Sequence, residues 1–165
     1  MRTKAVDTNI LGSILWALTP VNRLVCLVAL CTGLRISDVL NIKTEQMEKG
    51  TFTVQEQKKG KRKRVSIPCK IQADCLRKSG SIYVFPSRLN GRKPRTRQAV
   101  WKDLKRVSKA LRLTGRVAPH SLRKTYARSL LKEGFTMSQI QRALNHSDTA
   151  VTYLYAMADE LTMRS

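Results

Sequence analysis

The chain has 165 residues, 32 Lys and Arg against 11 Asp and Glu, a net charge of +21 and a pI near 10.6. Hydrophobic residues make up 42%, enough for the core of one domain and too many for a disordered basic tail. So much charge on a small surface repels itself and calls for a polyanion, nucleic acid before an anionic membrane face; an acidic small-molecule substrate needs far less.

The longest apolar run, Leu24 to Cys31, falls well short of the roughly 20 residues that cross a bilayer. The charged start, Met1 to Asp7, leads into no signal-peptide pattern. No membrane partner is expected, and the location expected is cytoplasmic. Cys26 and Cys31 lie in the apolar run and Cys69 and Cys75 flank a short segment, without a C-x-x-C spacing. The expectation is four free, buried thiols in a reducing compartment.

In chain order, Leu11, Ile14, Leu15 and Leu18 recur at helical spacing, and Pro20 opens a second, almost wholly apolar helix that stops near Thr32-Gly33. A short third helix follows, turning Ile36, Val39 and Leu40 inward, with Arg35 at its entry. Residues 51–55 and 64–67 alternate as strands around the basic turn Lys58 to Lys63, and residues 82–85 read as a brief third strand before Pro86. A helix over residues 71–77 lies between them. Ser87 to Arg97 carries Gly91, Pro94 and five basic residues with almost no apolar periodicity, and reads as a mobile basic loop. Val100, Leu104, Val107 and Leu111 then mark a basic amphipathic helix, and three more helices are expected over residues 121–133, 138–144 and 149–156. The fold class expected is mainly α with a small antiparallel three-stranded sheet, an α+β domain. No repeat or interdomain linker interrupts it, so residues 1–165 read as one domain.

Several positions carry residue types suited to phosphoryl transfer. Arg35 and Arg123 each present a planar fork of donors that grips phosphate oxygens bidentately. His120 precedes Arg123 by three residues, one helical turn, and His146 precedes Tyr155 by nine. Taken singly, each has a plainer reading: a solvated arginine, a capping or core histidine, a core tyrosine, a basic turn resting on DNA phosphates. Their combination is harder to set aside, because the chain has only two histidines and both fall in these stretches.

The segments Thr32-Gly33-Leu34-Arg35-Ile36-Ser37-Asp38, Pro119-His120-Ser121-Leu122-Arg123-Lys124-Thr125-Tyr126-Ala127, Leu144-Asn145-His146-Ser147 and Tyr155 resemble, in that order, the catalytic domain of tyrosine recombinases, the family of phage integrases and Xer recombinases. The resemblance runs from about Val6 to Tyr155. It implies that Tyr155 is the nucleophile, with the spacing from His146 favouring it over Tyr153, and that a covalent 3′-phosphotyrosyl intermediate forms on DNA. Arg35, Arg123 and His146 would hold the non-bridging oxygens, Lys58 would protonate the leaving 5′-oxygen, His120 would be the acid/base partner, and Asp38 would orient the Arg35/His120 side. Lys59, one step along the hairpin, is the alternative lysine. The resemblance also implies no metal, no ATP and no other cofactor; the surrounding cations would serve a nucleophile whose ordinary pKa is about 10.

The remaining basic residues expected on double-stranded DNA are Lys59, Lys61, Arg62, Lys63, Arg64, Arg88, Arg92, Lys93, Arg95, Arg97 and Lys102. Family members normally carry a helical core-binding domain ahead of this one; the expectation is that this chain lacks it. A protein of this kind is expected to be a monomer in solution, to assemble as a tetramer on DNA, and to act on nucleoid DNA in a bacterium, archaeon or phage-infected cell. Two other classes keep the same fold: a noncatalytic DNA-binding regulator, and a topoisomerase or hairpin telomere resolvase. A single-stranded RNA binder is disfavoured by an aromatic content of only 5%.

Overall fold

The computed structural model describes residues 6, 8–58, 60–113 and 117–146, excepting the side chains of residues 8 and 9. Helix α1 (Thr8–Ala17) leads through Thr19 into α2 (Pro20–Thr32), where proline at the first helical position costs no hydrogen bond. Leu24, Val25, Cys26, Val28 and Ala29 of α2 are buried, and α2 touches α1, the short α3 (Ile36–Leu40), α5 (Cys69–Lys78), α6 (Arg97–Ala110) and α7 (Pro119–Lys132). An apolar helix packed on so many sides is the core itself rather than one wall of it.

The turn that ends α2 sets the direction of the chain into α3. Gly33 adopts φ +67°, a left-handed conformation that a Cβ penalises, and its N–H donates to Ala29 O at 2.8 Å. A Cβ there would also overlap the Tyr126 ring on α7. Both the torsion and the close approach therefore demand glycine.

After α4 (Thr44–Glu48), strands β1 (Thr51–Gln55) and β2 (Arg62–Ser66) pair antiparallel, with Phe52 opposite Val65 and Val54 opposite Lys63. The described residues hold this two-stranded sheet rather than three strands. Residues 82–85 make only one bridge, Tyr83 to Lys43, and attach to the stretch between α3 and α4 through Thr44 N–H to Ile82 O and Val84 N–H to Ile42 O. Pro86 follows at once and cannot extend a ladder. The five-residue α4 escaped the sequence reading because so short a segment has no measurable period.

The stretch from residue 87 to residue 96 is a tied turn rather than a mobile loop. Ser87 N–H donates to Lys93 O, Lys93 N–H to Asn90 O and Arg92 N–H to Asn90 Oδ1, closed by a bridge between Pro86 and Pro94. Arg97 belongs to α6, whose N-cap Thr96 accepts from Ala99 N–H. A polar knot fixes α6 against the start of α2: Asp103 accepts from Thr19 N–H and Oγ1–H, Asn22 Nδ2 and Arg106, and Asn22 in turn accepts from Arg95 Nε. These donors outweigh the burial of Asp103 and hold its carboxyl below the ordinary value.

Helices α7 and α8 (Met137–Ala143) pack through a smaller cluster of Ala127, Ile140 and Leu144. Thr136 and Gln139 cap α8 reciprocally, each side chain accepting from the other's backbone N–H. The helix expected over residues 149–156 lies outside the described residues. All four cysteines are free, but only Cys26 and Cys75 are buried; Cys31 is half-buried and Cys69, at the start of α5 after Pro68, is exposed. Burial pushes the thiols of Cys26 and Cys75 up to about 12, so they stay protonated. No described helix is long and apolar enough to cross a membrane.

Replacing Gly33 with alanine adds left-handed strain of about 1 kcal/mol to an overpacking cost of about 1–3 kcal/mol. Gly33→Ala should lower the unfolding free energy by about 3 kcal/mol in urea titration, while Gly60→Ala, whose Cβ would meet open space, loses only the torsional part.

Candidate active site

Three helix starts converge on a cleft of about 420 Å³ lined by Arg35, Ser37, Arg97, Trp101, His120 and Arg123 among others. Arg35 is the N-cap of α3, in an extended conformation with no side-chain cap, so its guanidinium is directed elsewhere. It meets Glu56, just past β1, at 2.7 Å; the Glu56 side chain is fully buried and that of Arg35 is 17% exposed. His120 and Arg123 both come from the first turns of α7, where Ser121 Oγ accepts the Ala118 N–H and fixes the helix entry.

His120 is held below its ordinary value first by partial loss of water and then by Arg97, Arg123, Arg35 and Lys58. Lys58, exposed in the hairpin turn, adds to the positive potential felt by His120. The shift leaves the imidazole neutral near pH 7, with a lone pair able to take a proton.

Arg123 is only 2% exposed, and its Nη1 donates to Gly33 O at 2.5 Å while Nη2 donates to Leu144 O. One guanidinium thus ties the α2–α3 turn to the end of α8. Beyond α8, Asn145 takes φ +52°, a left-handed position that asparagine tolerates better than most residues. The chain doubles back there, so that His146 N–H reaches Gln141 O and the residue is buried.

Asp38, expected to orient the Arg35/His120 side, bonds the hairpin backbone. Its Oδ1 accepts the Gln57 N–H at 2.9 Å, docking α3 onto the hairpin, and the carboxylate bonded to Arg35 belongs to Glu56. Burial, with Glu56 adding, raises the Asp38 pKa against the pull of the Gln57 amide, Arg35 and Arg123. Glu56 was missed by the sequence reading, yet the signal was there. Strand parity turns Phe52, Val54 and residue 56 inward, so an acid in that register is a charged group facing the core.

The same parity divides the basic run of β2. Arg62 and Arg64 face outward with Lys61 nearby, all exposed. Lys63 is a correction: it faces inward, and its Nζ donates to Thr32 O and Ala143 O, because it alternates with its exposed neighbours and pairs with buried Val54. Arg95 is a second correction, since its Nε is committed to Asn22 and it is half-buried beneath the turn. Arg88, Arg92, Lys93, Arg97 and Lys102 are exposed. Lys59 and Tyr155 lie outside the described residues.

Two outcomes test this geometry. In nitrogen-detected NMR of the free protein, His120 should titrate below 6.5, its ordinary value, and Arg97→Gln should move it upward by removing a neighbouring cation; titration at or above 6.5 contradicts the arrangement. Because the unfolded chain then takes up a proton that folded His120 refuses, this residue's contribution to stability falls as pH drops through 6.5 toward the folded value. For Glu56→Gln, loss of the buried partner of Arg35 should cost about 3 kcal/mol of stability, read by denaturant titration; an unchanged midpoint would show that the pair does not hold Arg35.

Residues 9–161 match the profile of the phage integrase family. Among curated relatives, tyrosine recombinase XerA of Pyrococcus furiosus is 32% identical over 142 residues, covering 81% of this chain and 49% of the relative. Tyrosine recombinase XerD of Staphylococcus saprophyticus is 29% identical over 146 residues, covering 81% and 48%. The chain thus spans about half the length of the curated relatives it matches. Among solved structures, XerA recombinase superposes with a TM-score of 0.77 at 20% identity, over 97% of this chain and 63% of that one. A lambda integrase dimer bound to a core DNA site superposes with a TM-score of 0.78 at 21% identity, over 94% and 60%. These likenesses establish the fold, and the match over nearly the whole sequence establishes that the chain belongs to the phage integrase family.

Proposed function

We propose that this chain is the catalytic domain of a site-specific DNA recombinase that breaks and rejoins DNA through a tyrosyl phosphodiester. The observation that carries the reading is the single cleft shared by Arg35, His120 and Arg123, with Lys58 within electrostatic reach. A noncatalytic DNA-binding regulator needs basic surface but has no use for a neutral imidazole set among cations.

In the proposed reaction the Tyr155 phenolic oxygen attacks the scissile phosphorus and passes its proton to His120. The bond from phosphorus to the 5′-oxygen breaks, and that oxygen leaves as a hydroxyl after taking a proton from Lys58, or from Lys59. The phosphate stays on the 3′ end, joined to Tyr155, and attack by a 5′-hydroxyl reverses the step and seals the strand. Arg35 and Arg123, with His146, would stabilise the charge gathering on the non-bridging oxygens. Glu56, and not Asp38, would set the fork of Arg35, while Asp38 holds the hairpin that carries Lys58.

The outward Lys61, Arg62 and Arg64, with Arg88, Arg92, Lys93, Arg97 and Lys102, would follow the duplex backbone, making affinity fall steeply with salt. The relatives that superpose on this chain include one crystallised with DNA as a dimer; a tetramer on DNA, a monomeric free state and action on cytoplasmic nucleoid DNA belong to the same proposal.

The test uses nicked duplexes built on a site that the protein selects from a randomised pool. The parent chain should form an adduct that survives detergent, in the presence of EDTA, and Tyr155→Phe should form none; an adduct that persists in that variant refutes the assignment. Lys58→Ala should slow cleavage by about 100-fold or more. A substrate with sulfur in place of the bridging 5′-oxygen, whose thiolate leaves without a proton, should restore the rate. If sulfur restores Lys59→Ala instead, the neighbouring lysine is the acid.

A further inference from the structure

The hairpin contributes an inward cation that neither the duplex nor the reaction as drawn employs. Lys63 Nζ donates to Thr32 O at 2.5 Å and to Ala143 O, and lies 5.4 Å from the centre of the Tyr126 ring. Arg123 makes the adjacent pair of bonds, to Gly33 O and Leu144 O. Two cations thus bridge two consecutive carbonyls of the α2–α3 turn to two consecutive carbonyls at the end of α8. The latter are among the four that a helix leaves without intrahelical donors, at the negative end of its dipole. His146 follows within the next turn of chain, and Arg35 follows the other anchor.

We propose that Lys63 is a positioning residue for strand cleavage: it latches the His146 segment to the turn that presents Arg35, so that both reach one phosphate from a fixed separation. The role rests on the proposed recombinase reading and assigns Lys63 no contact with DNA. Its removal leaves the Ala143 carbonyl without its ammonium donor and frees the end of α8 to shift, and small displacements of groups around a reacting centre are costly in rate.

The latch is also proton-dependent. Burial first, then repulsion from Arg123 and Arg35, lowers the Lys63 pKa to about 8, against the opposing influence of Glu56 and Cys31. Tyr126, the aromatic neighbour, is itself pushed up by burial and stays uncharged in this range. The ammonium is therefore complete below pH 8 and is lost as pH rises through that value, leaving a weaker amine donor.

The experiment compares the parent with Lys63→Met and Lys63→Arg in two measurements. In hydrogen exchange, the amides of Leu144, Asn145 and His146, bonded to Ile140, Arg142 and Gln141, should exchange faster in Lys63→Met than in the parent, with the core of α2 unchanged. In single-turnover adduct formation, Lys63→Met should be slower by about 100-fold with duplex affinity retained. The parent should lose rate above about pH 8, whereas Lys63→Arg, charged throughout, should keep most of the rate and lack that limb. If the parent forms adduct and Lys63→Met matches it in rate and exchange, the latch is refuted. If the parent forms no adduct, the recombinase reading fails, and the exchange measurement still decides whether Lys63 holds the end of α8. A uniformly faster exchange across α2 would overturn a local latch in favour of general stability.

Discussion

Crowding positive charge around one short turn is the constraint on which this structure depends. Arg35, Arg123 and Lys63 all reach the stretch from Thr32 to Arg35, and like charges at such range repel strongly once water is thinned. Backbone carbonyls and one buried carboxylate offset the repulsion. Thr32 O, Gly33 O, Ala143 O and Leu144 O take the donors of Lys63 and Arg123, and Glu56 neutralises Arg35. What results is a cluster of cations whose arginines are already oriented, as the proposed function requires. Such preorganisation costs nothing further when the reacting group arrives.

The rest of the fold serves to keep that turn in place. The buried helix α2 delivers Gly33 to a position where no side chain fits, and α7 packs Tyr126 against it while presenting Arg123 one turn earlier. The Asp103 knot holds α6 so that Arg97 and Trp101 face the cleft rather than solvent alone. The hairpin reaches across with Glu56 on one strand end and Lys63 on the other. Its outward face remains basic and exposed, so a single two-stranded ribbon divides its charge between the interior and the surface.

Much of this was legible in the residues. Helices with a strong apolar period, the two hairpin strands and the stretches holding Arg35, His120, Arg123 and His146 could be read directly, and Arg35, His120 and Arg123 line one cleft. Other features depend on parity and on neighbours distant in sequence. The basic run from Lys58 to Arg64 looks uniform as composition, yet strand alternation sends Lys63 inward to Thr32 and Ala143 while Arg62 and Arg64 stay outside. Glu56 stands among polar residues and is recognisable only once the inward register of Phe52 and Val54 is extended by one step. Arg95 and Asp38 found partners, Asn22 and the Gln57 amide, that no local pattern names. The third strand failed because a single bridge to Lys43 satisfies the segment before Pro86 stops it.

The central claim is that these cations form a site for a single phosphate, and the most direct measurement is the response of His120 to that anion. Inorganic phosphate titrated into the free protein at constant ionic strength should raise the His120 pKa, as the anion offsets Arg35 and Arg123, along a saturable curve of one site. The response should vanish in Arg35→Met. A His120 titration indifferent to phosphate, or one that moves equally with and without Arg35, would contradict the account.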